Sequence, residues 1–585
     1  MANDHQNFTA FGGTPIERLI AERDSRSPIE DSMDLLRLLE YPQMLGKTYL
    51  DHAGTTPWAK SLINAYAASM TDTLYGNPHS EHKPSKDADA RVERTRQKAL
   101  EFFNADPDDF ELIFTPNATG AIKLVHDCFR DYSSDPDGRS WWYGYHKDSH
   151  TSVVGVREGT RNHRCYRNDR EVDLWIEARG LGGAAAHEVG LFAYPGQSNM
   201  TGRRYPLDWP VRIRNRVKAE VYTLLDAAAL ASTAQIDLSD AARAPDLVAV
   251  SFYKIFGMPN LGGLLVRKSS RVVEILKRRK FFGGGTVDMV IAVNDAWVDR
   301  KDSLHSRLED GTLPFTSIFA LDIAIDTHKK LYGPAPMKYI SMHTSRLIKK
   351  LSDDLTSLRH TNGVPLVKIY KDPTSIFGES HLQGATLAFN VQKSIGGLVP
   401  YMDVEREAND AHIYVRSGSL CNPGGFATYL NWSPKELKEA RDWGHKCSEP
   451  EAEFQGKPLG VVRASLGAMS NEADVETFVK FLGERYVDRV YASGGPMHEV
   501  GVVVAEPPKS RGRDVTAAVF KVEERTVSRE AAFVKAGLLS PPVVSGDAVS
   551  VDERSVRAEK SMSVKSSGSR MRRVRRSIMG VLRAH

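Results

Sequence analysis

The sequence predicts an α/β protein built on a mostly parallel sheet with helices on both faces. Three observations predict it. Between residues 49 and 330, short β-rich apolar runs bounded by polar, Gly or Pro residues alternate with helical patterns, the arrangement of successive βαβ units. Both faces of such a sheet are covered by the crossover helices. The composition of the 585 residues, 41% hydrophobic and 26% charged, is that of a globular protein and excludes a mostly disordered chain.

The elements follow in chain order. Residues 1–48 read as an N-terminal arm. In it Ser27-Pro28-Ile29-Glu30 forms a capping box with Pro at the first helical position. An amphipathic helix continues through Met33, Leu35, Leu36 and Leu39. The strand candidates are Leu112–Thr115, Trp141–His146, Leu191–Tyr194, Val221–Leu225, Leu247–Ser251 and Leu261–Val266. Helical stretches are Leu62–Met70 and Ala118–Phe129, and Ser317–Leu331 is a long helix leaving the layer. Residues 49–330 therefore form a large domain. Residues 331–485 read as a smaller α/β domain with strands Ala385–Val391, Ile413–Ser417 and Gly460–Leu466 and a closing helix Glu472–Phe481. Beyond 485 come short β-like runs (Val500–Ala505, Pro541–Val544). From Val551 follows a Ser-rich basic tail, expected to be disordered because it has little apolar surface to offset ordering entropy.

No window approaches the roughly 18 apolar residues of a membrane span, and the N-terminus shows no signal-peptide pattern. The four cysteines (Cys128, Cys165, Cys421, Cys447) are too scattered for a disulfide framework or a zinc site. A reducing, cytoplasmic setting without membrane or metal is the expectation. The net charge of +4 is carried by the tail. Residues 551–585 hold ten basic and three acidic residues, which leaves the rest of the chain at −3. The basic run Arg572–Arg576 has no stacking aromatics, so no nucleic-acid partner is expected.

The chemistry concentrates at strand ends. Leu247–Ser251 runs into Phe252-Tyr253-Lys254 and then an apolar, Gly-containing turn. A lysine at the end of a buried strand is costly unless its amine is paired or used, and its chemical use is a Schiff base with a carbonyl cofactor. Taken alone, it reads rather as a lysine snorkelling to the surface. Asp226 ends the run Val221–Leu225, where a carboxylate can keep a pyridine nitrogen protonated or simply cap a helix. Thr115-Pro116-Asn117-Ala118-Thr119-Gly120 lies at a strand-to-helix junction whose free N–H groups could seat a phosphate. His150, beyond the strand Trp141–His146, could stack on a cofactor ring.

Together these segments resemble the class V aminotransferase-type, pyridoxal-phosphate-dependent enzymes of fold type I, in the cysteine desulfurase branch. Within it the chain is most similar to the N-terminal domain of eukaryotic molybdenum cofactor sulfurases. The resemblance rests on TYLDHAGTTPW (48–58), LYGNPHS (74–80), FTPNATGAIK (114–123), DSHTSVVG (148–155), YPGQSNMTGRRYPL (194–207), LLDAAAL (224–230), SFYKIFG (251–257), FFGGGTV (281–287), LEDGTLPF (308–315), VRSGSLCNPGG (415–425) and VVRASLGAMSN (461–471). These stretches stand in family order across about residues 49–485.

The resemblance implies fold type I, a large domain with a seven-stranded-type sheet, and roles residue by residue. Lys254 is the Schiff-base lysine, Asp226 the partner of the pyridine nitrogen, His150 the residue stacked on the ring and Asn199 its neighbour near the ring hydroxyl. Ala118, Thr119 and Ser251 bind the phosphate, with Tyr253 offering its phenol where many relatives carry His. Gly285 and Thr286 reach the partner subunit's phosphate, which implies a homodimer. Arg463 grips the substrate α-carboxylate, where a bidentate fork suits better than lysine, and Arg416 is counted with it. Cys421, flanked by Gly418, Gly424 and Gly425, is the sulfur-carrying nucleophile on a loop that its glycines make mobile.

The activity so implied takes sulfur from L-cysteine as a Cys421 persulfide, releases L-alanine and passes the sulfur to the molybdenum cofactor or another acceptor. Two departures from the family stand out. Only residues 486–585 follow the matching region, too few for the family's cofactor-binding C-terminal domain, and no second Cys follows the NPG turn. The alternatives are another pyridoxal-phosphate reaction on the same fold (C–S lyase, aminotransferase or epimerase) and an inactive regulatory paralogue.

Overall fold

The structure, a computed structural model, describes residues 28–491, with side chains from residue 33. Its strands, in chain order, begin with Thr48–Tyr49 (β1), Phe110–Thr115 (β2), Trp141–His146 (β3), Asn162–Tyr166 (β4), Val189–Pro195 (β5), Val221–Asp226 (β6), Leu247–Ser251 (β7) and Gly262–Arg267 (β8). Seven of these form the central sheet in the order β2-β8-β7-β6-β5-β3-β4. Only β8 runs antiparallel to its neighbours β2 and β7, while the pairs β7·β6, β6·β5, β5·β3 and β3·β4 are parallel.

Side chains alternate across this sheet, and both sides are buried. Leu112, Phe114, Trp142, Phe192, Tyr194, Val248 and Val250 belong to one apolar cluster. Ile113, Tyr143, Leu191, Leu224, Leu247, Ala249 and Leu264 belong to another. The strand period of two sends neighbours to opposite faces, and each face has its own helix layer. Complete burial of one such Leu, Val or Phe contributes about 2 kcal/mol.

Six sheet strands match the expected runs to within two residues. The edge strand β4, Asn-His-Arg-Cys-Tyr, has no apolar run to announce it. Its first four residues are exposed or half-buried, and only Tyr166 is buried. The helices Lys83–Phe102 and Pro336–Ser357 were also not expected from the sequence.

The chain continues with a hairpin, Val287–Val290 (β9) and Val298–Arg300 (β10). Beyond the helix Phe315–Tyr332 come Val367–Tyr370 (β11), Thr386–Val391 (β12), Ile413–Tyr414 (β13), Arg416–Gly418 (β14), the short pair Glu453–Phe454 (β15) and Lys457–Pro458 (β16), and Val461–Ser465 (β17). A four-stranded sheet has the order β11-β12-β17-β14, all antiparallel. The run expected as one strand, Ile413–Ser417, is divided at Val415. Its first part pairs in parallel with β1 and its second with β17.

The N-terminal helix Pro28–Glu40 is docked rather than loose. Arg37 donates to Asn471 Oδ1 at 2.8 Å and forms an ion pair with Asp474, and the Tyr41 and Tyr332 hydroxyls meet at 2.8 Å. No helix among the described residues is long and apolar enough to cross a membrane. The expected runs Val500–Ala505 and Pro541–Val544 and the tail from Val551 lie outside the described residues.

Candidate active site

The parallel strands β2, β3, β5, β6 and β7 all end on one side of the sheet, and the candidate residues stand at or just beyond those ends. This is where open α/β sheets bind ligands. After β2 the chain enters the helix Ala118–Ser133, capped by Asn117, whose Oδ1 accepts from Gly120 N–H at 2.9 Å. Ala118 N–H donates to Ser251 Oγ at 3.0 Å, so the end of β7 is tied to this helix start. The helix comes this near because β8 has Gly262 at the crossing. A Cβ there would lie 2.5 Å from the Asn117 backbone. Thr119 is exposed at the helix start, where N–H groups and the helix dipole favour an anion.

Asp226 closes β6, is buried, and accepts from Ala228 N–H through Oδ1 at 3.1 Å. Lys254 lies in the single helical turn Tyr253–Phe256 that follows β7, beside half-buried Tyr253. Burial pushes its ammonium below the ordinary lysine range. The Asp226 charge opposes that shift, while Arg463 and Arg416 add to it. Burial likewise lowers His150, with Asp226 opposing and Lys254 reinforcing. The His150 ring is oriented by its own helix turn, with Nδ1 2.7 Å from Ser152 Oγ. A neutral imidazole, a carboxylate, an amine of reduced basicity and a helix N-terminus thus share one strand-end region. That donor set fits pyridoxal phosphate, an aldehyde-bearing pyridine with a phosphate arm.

The antiparallel sheet supplies the remaining groups. Arg463 is central in β17 and only 2% exposed. Its Nη1 donates to the Asn199 carbonyl at 2.9 Å and its Nη2 to Asp51 Oδ1 at 2.5 Å, while Nε has no partner among the described residues. Arg416 is its register partner on β14. Arg416 Nη2 lies 3.9 Å from Cys421 Sγ. Cys421 is half-buried, with its carbonyl accepting from Thr151 N–H at 2.9 Å. Leu420 (φ +57°) and Cys421 (φ +54°) are consecutive residues in left-handed backbone, at roughly 1 kcal/mol or more each. The conformation is held from outside, because Asn199 Nδ2 donates to the Leu420 carbonyl at 2.7 Å.

The glycines around Cys421 do more than loosen it. Only Gly418 (φ +102°) has open space around it. A Cβ on Gly424 would sit 2.0 Å from the Lys147 carbonyl oxygen and one on Gly425 2.7 Å from Asp148 Oδ1. Those two glycines serve close packing rather than backbone freedom.

Gly285 and Thr286 have their contacts elsewhere. Gly285 packs on His79, Thr286 Oγ1 donates to the Gly283 carbonyl at 2.8 Å, and the turn borders a cleft with Glu81, Asp89 and Lys301. Cys128 is buried, and burial pushes its thiol far up. Cys165 and Cys447 are exposed. Three residues with structural claims on the site carried no role in the sequence reading: Asp51, Asp148 and Asn422. All three lie inside the quoted stretches, adjacent to or two residues from a named site residue or, for Asp51, across from Arg463.

The sequence profile of the class V aminotransferases matches residues 48–478, and the chain belongs to that family. More particularly, it is similar to molybdenum cofactor sulfurases. It is 47% identical to that of Aspergillus clavatus over 484 residues, 82% of this chain and 56% of that protein. It is 50% identical to that of Aspergillus niger over 461 residues, 78% of this chain and 55% of that protein. The chain thus spans about half the length of these relatives. Its fold is that of solved cysteine desulfurases. The apo enzyme of Thermococcus onnurineus aligns with TM-score 0.58 at 18% identity, over 79% of this chain and 98% of that one. The desulfurase CsdA of Escherichia coli aligns with TM-score 0.56 at 19% identity, over 77% and 98%.

Proposed function

We propose that this chain is a pyridoxal-phosphate-dependent sulfurtransferase of the cysteine desulfurase type, related in activity to molybdenum cofactor sulfurases. It takes sulfur from L-cysteine as a Cys421 persulfide and releases L-alanine. One observation carries the reading: the Cys421 loop is docked by backbone and side-chain bonds onto Thr151 and Asn199, beside the Lys254–Asp226–His150 group. A C–S lyase, aminotransferase or epimerase needs the group but not the cysteine.

Bound through Lys254, pyridoxal phosphate supplies an electron sink for the substrate α-carbon. Burial lowers the basicity of Lys254, and its amine, once displaced by the substrate, would take the α-proton. Asp226 would hold the proton on the ring nitrogen, and His150 and Asn199 would flank the ring. Ala118, Thr119, Ser251 and Tyr253 would receive the phosphate. Arg463 and Arg416 hold the substrate carboxylate. Cys421 then attacks the substrate sulfur. The Sγ–S bond forms as the Cβ–S bond breaks, the electron pair stays on the carbon skeleton, and protonation releases alanine without net oxidation.

Residues 49–330 serve as the cofactor-binding domain and residues 331–485 as the smaller domain with the Cys421 loop. The assembly is a cytoplasmic homodimer in which Gly285 and Thr286 serve the partner subunit's site. Consistent with that, Phe281, Met289, Val293 and Trp297, on and just before the β9–β10 hairpin, are each about half exposed or more. The sulfur passes to the molybdenum cofactor or another acceptor.

The test is incubation of the purified chain with pyridoxal phosphate and L-cysteine, scoring alanine, Cys421 persulfide and sulfuration of added molybdenum cofactor. Alanine with persulfide is expected. Sulfide release without persulfide, unchanged in Cys421→Ala, would overturn the reading in favour of a lyase.

A further inference from the structure

We infer that Asp148 is a positioning residue, the anchor that holds the sulfur-carrying loop against the cofactor side of the site through Asn422. The inference rests on the desulfurase reading for its functional consequence and on geometry for its existence.

Asp148 is 2% exposed, and three side-chain donors converge on its carboxylate. Ser198 Oγ donates to Oδ1 at 3.0 Å, Tyr205 Oη donates to Oδ2 at 2.5 Å, and Asn422 Nδ2 donates to Oδ1 in a short bond. A buried carboxylate is an acceptor only, so it must collect donors, and here it takes three of them from two chain segments. Asn422 is wholly buried and fully used. Its Nδ2 also donates to Asn199 Oδ1 at 3.1 Å, and its Oδ1 accepts from Gly425 N–H at 2.8 Å to cap the helix Pro423–Tyr429. Asn422 therefore bolts the residue next to Cys421 to the strand end that leads to His150 and to the segment bearing Asn199. The two packed glycines, Gly424 and Gly425, exist to let this helix start lie on Lys147 and Asp148. The left-handed pair Leu420-Cys421 requires such outside support to persist.

The bolt fixes where the thiol stands relative to the bound substrate while leaving the thiol itself untouched. Asn422→Asp tests it. The new carboxylate keeps an acceptor for Gly425 N–H, so the helix cap survives, but the donor is lost and a second carboxylate faces Asp148. In the double variant Asp148→Asn/Asn422→Asp the donor and acceptor are exchanged and the contact can re-form.

Full-length, cofactor-loaded protein is used, with three readouts: the absorbance change of the cofactor on adding L-cysteine, Cys421 persulfide by mass spectrometry, and the rate of Cys421 alkylation by iodoacetamide without substrate. In Asn422→Asp the absorbance change should persist within about two-fold, persulfide formation should fall at least ten-fold, and alkylation should accelerate several-fold. The exchange variant should recover persulfide and protection in large part. Unchanged persulfide and alkylation in Asn422→Asp would overturn the inference. So would loss of all three signals without recovery in the exchange variant, which marks a merely structural role. If the unsubstituted chain forms no persulfide, the desulfurase reading fails, and the alkylation rates alone still decide whether the bolt exists.

Discussion

Removing the carboxylate of Asp51 should destabilise the protein more than removing the arginine it pairs with. Arg463 is 2% exposed, its Nε has no partner among the described residues, and the acceptors of its Nη groups are the Asn199 carbonyl and Asp51 Oδ1. Arg416 and Lys254 add positive charge nearby. Asp51→Ala therefore leaves a guanidinium buried without its counter-ion, a change that costs about 3–5 kcal/mol for a wholly buried pair. The Asp51 side chain is 24% exposed, so water reaches the site and the expected loss is about 2–3 kcal/mol. Arg463→Met leaves instead a carboxylate that can turn to water and fills the arginine's place with an apolar stem, for about 1–2 kcal/mol. The double variant should cost less than the sum, because the stranded charge is gone. Urea unfolding of the full chain followed by circular dichroism measures all three. If Arg463→Met costs as much as Asp51→Ala, or the double variant equals the sum, the argument from a buried, singly compensated cation is refuted.

Acid should weaken the fold through two buried histidines. Burial lowers His52, which lies between Thr56 Oγ1 and Ser470 Oγ, to about 3, and His328, set among Phe102, Phe256 and Tyr332, to about 3. The folded values lie below the unfolded 6.5, so the unfolded chain takes up protons first, and stability falls as pH drops from 6.5 toward 3. Between pH 7 and pH 5 each histidine accounts for about 2 kcal/mol. His52→Gln and His328→Phe should each flatten the urea-measured difference by that amount, and an unchanged difference would contradict the assignment. Lys254→Ala should lose the absorbance of the lysine-bound cofactor and lower alanine formation by about 10²–10⁴-fold, and normal turnover would end the proposed mechanism. Cys421→Ala should keep the cofactor absorbance and form no persulfide; wild-type alanine release by it would show that another thiol carries the sulfur. Gly425→Ala should disturb the site through a Cβ placed 2.7 Å from Asp148 Oδ1, lowering persulfide yield while the cofactor stays bound, and wild-type yield would show that the contact relaxes freely.

The sequence by itself determined the central sheet and the cofactor-side candidates. Val221–Leu225 and Leu247–Ser251 are continuous apolar runs because both faces of a parallel sheet are buried, and a polar residue at the end of such a run stands at the sheet's rim. Asp226 and Lys254 were legible for that reason, and Ala118 and Thr119 because a helix start follows a strand end. The edge strand β4 was not legible, since an exposed edge needs no apolar residues. Tertiary structure alone decided which polar groups meet. Asp51 reaches Arg463 across 412 positions of sequence, and Asn422 reaches Asp148 across 274. Hydrogen bonds at such separations leave no periodicity or spacing in the chain. The same holds for Gly424 and Gly425, which read locally as freedom of the backbone. Their purpose lies in the Lys147–Asp148 segment that the fold presses against them, where no side chain fits.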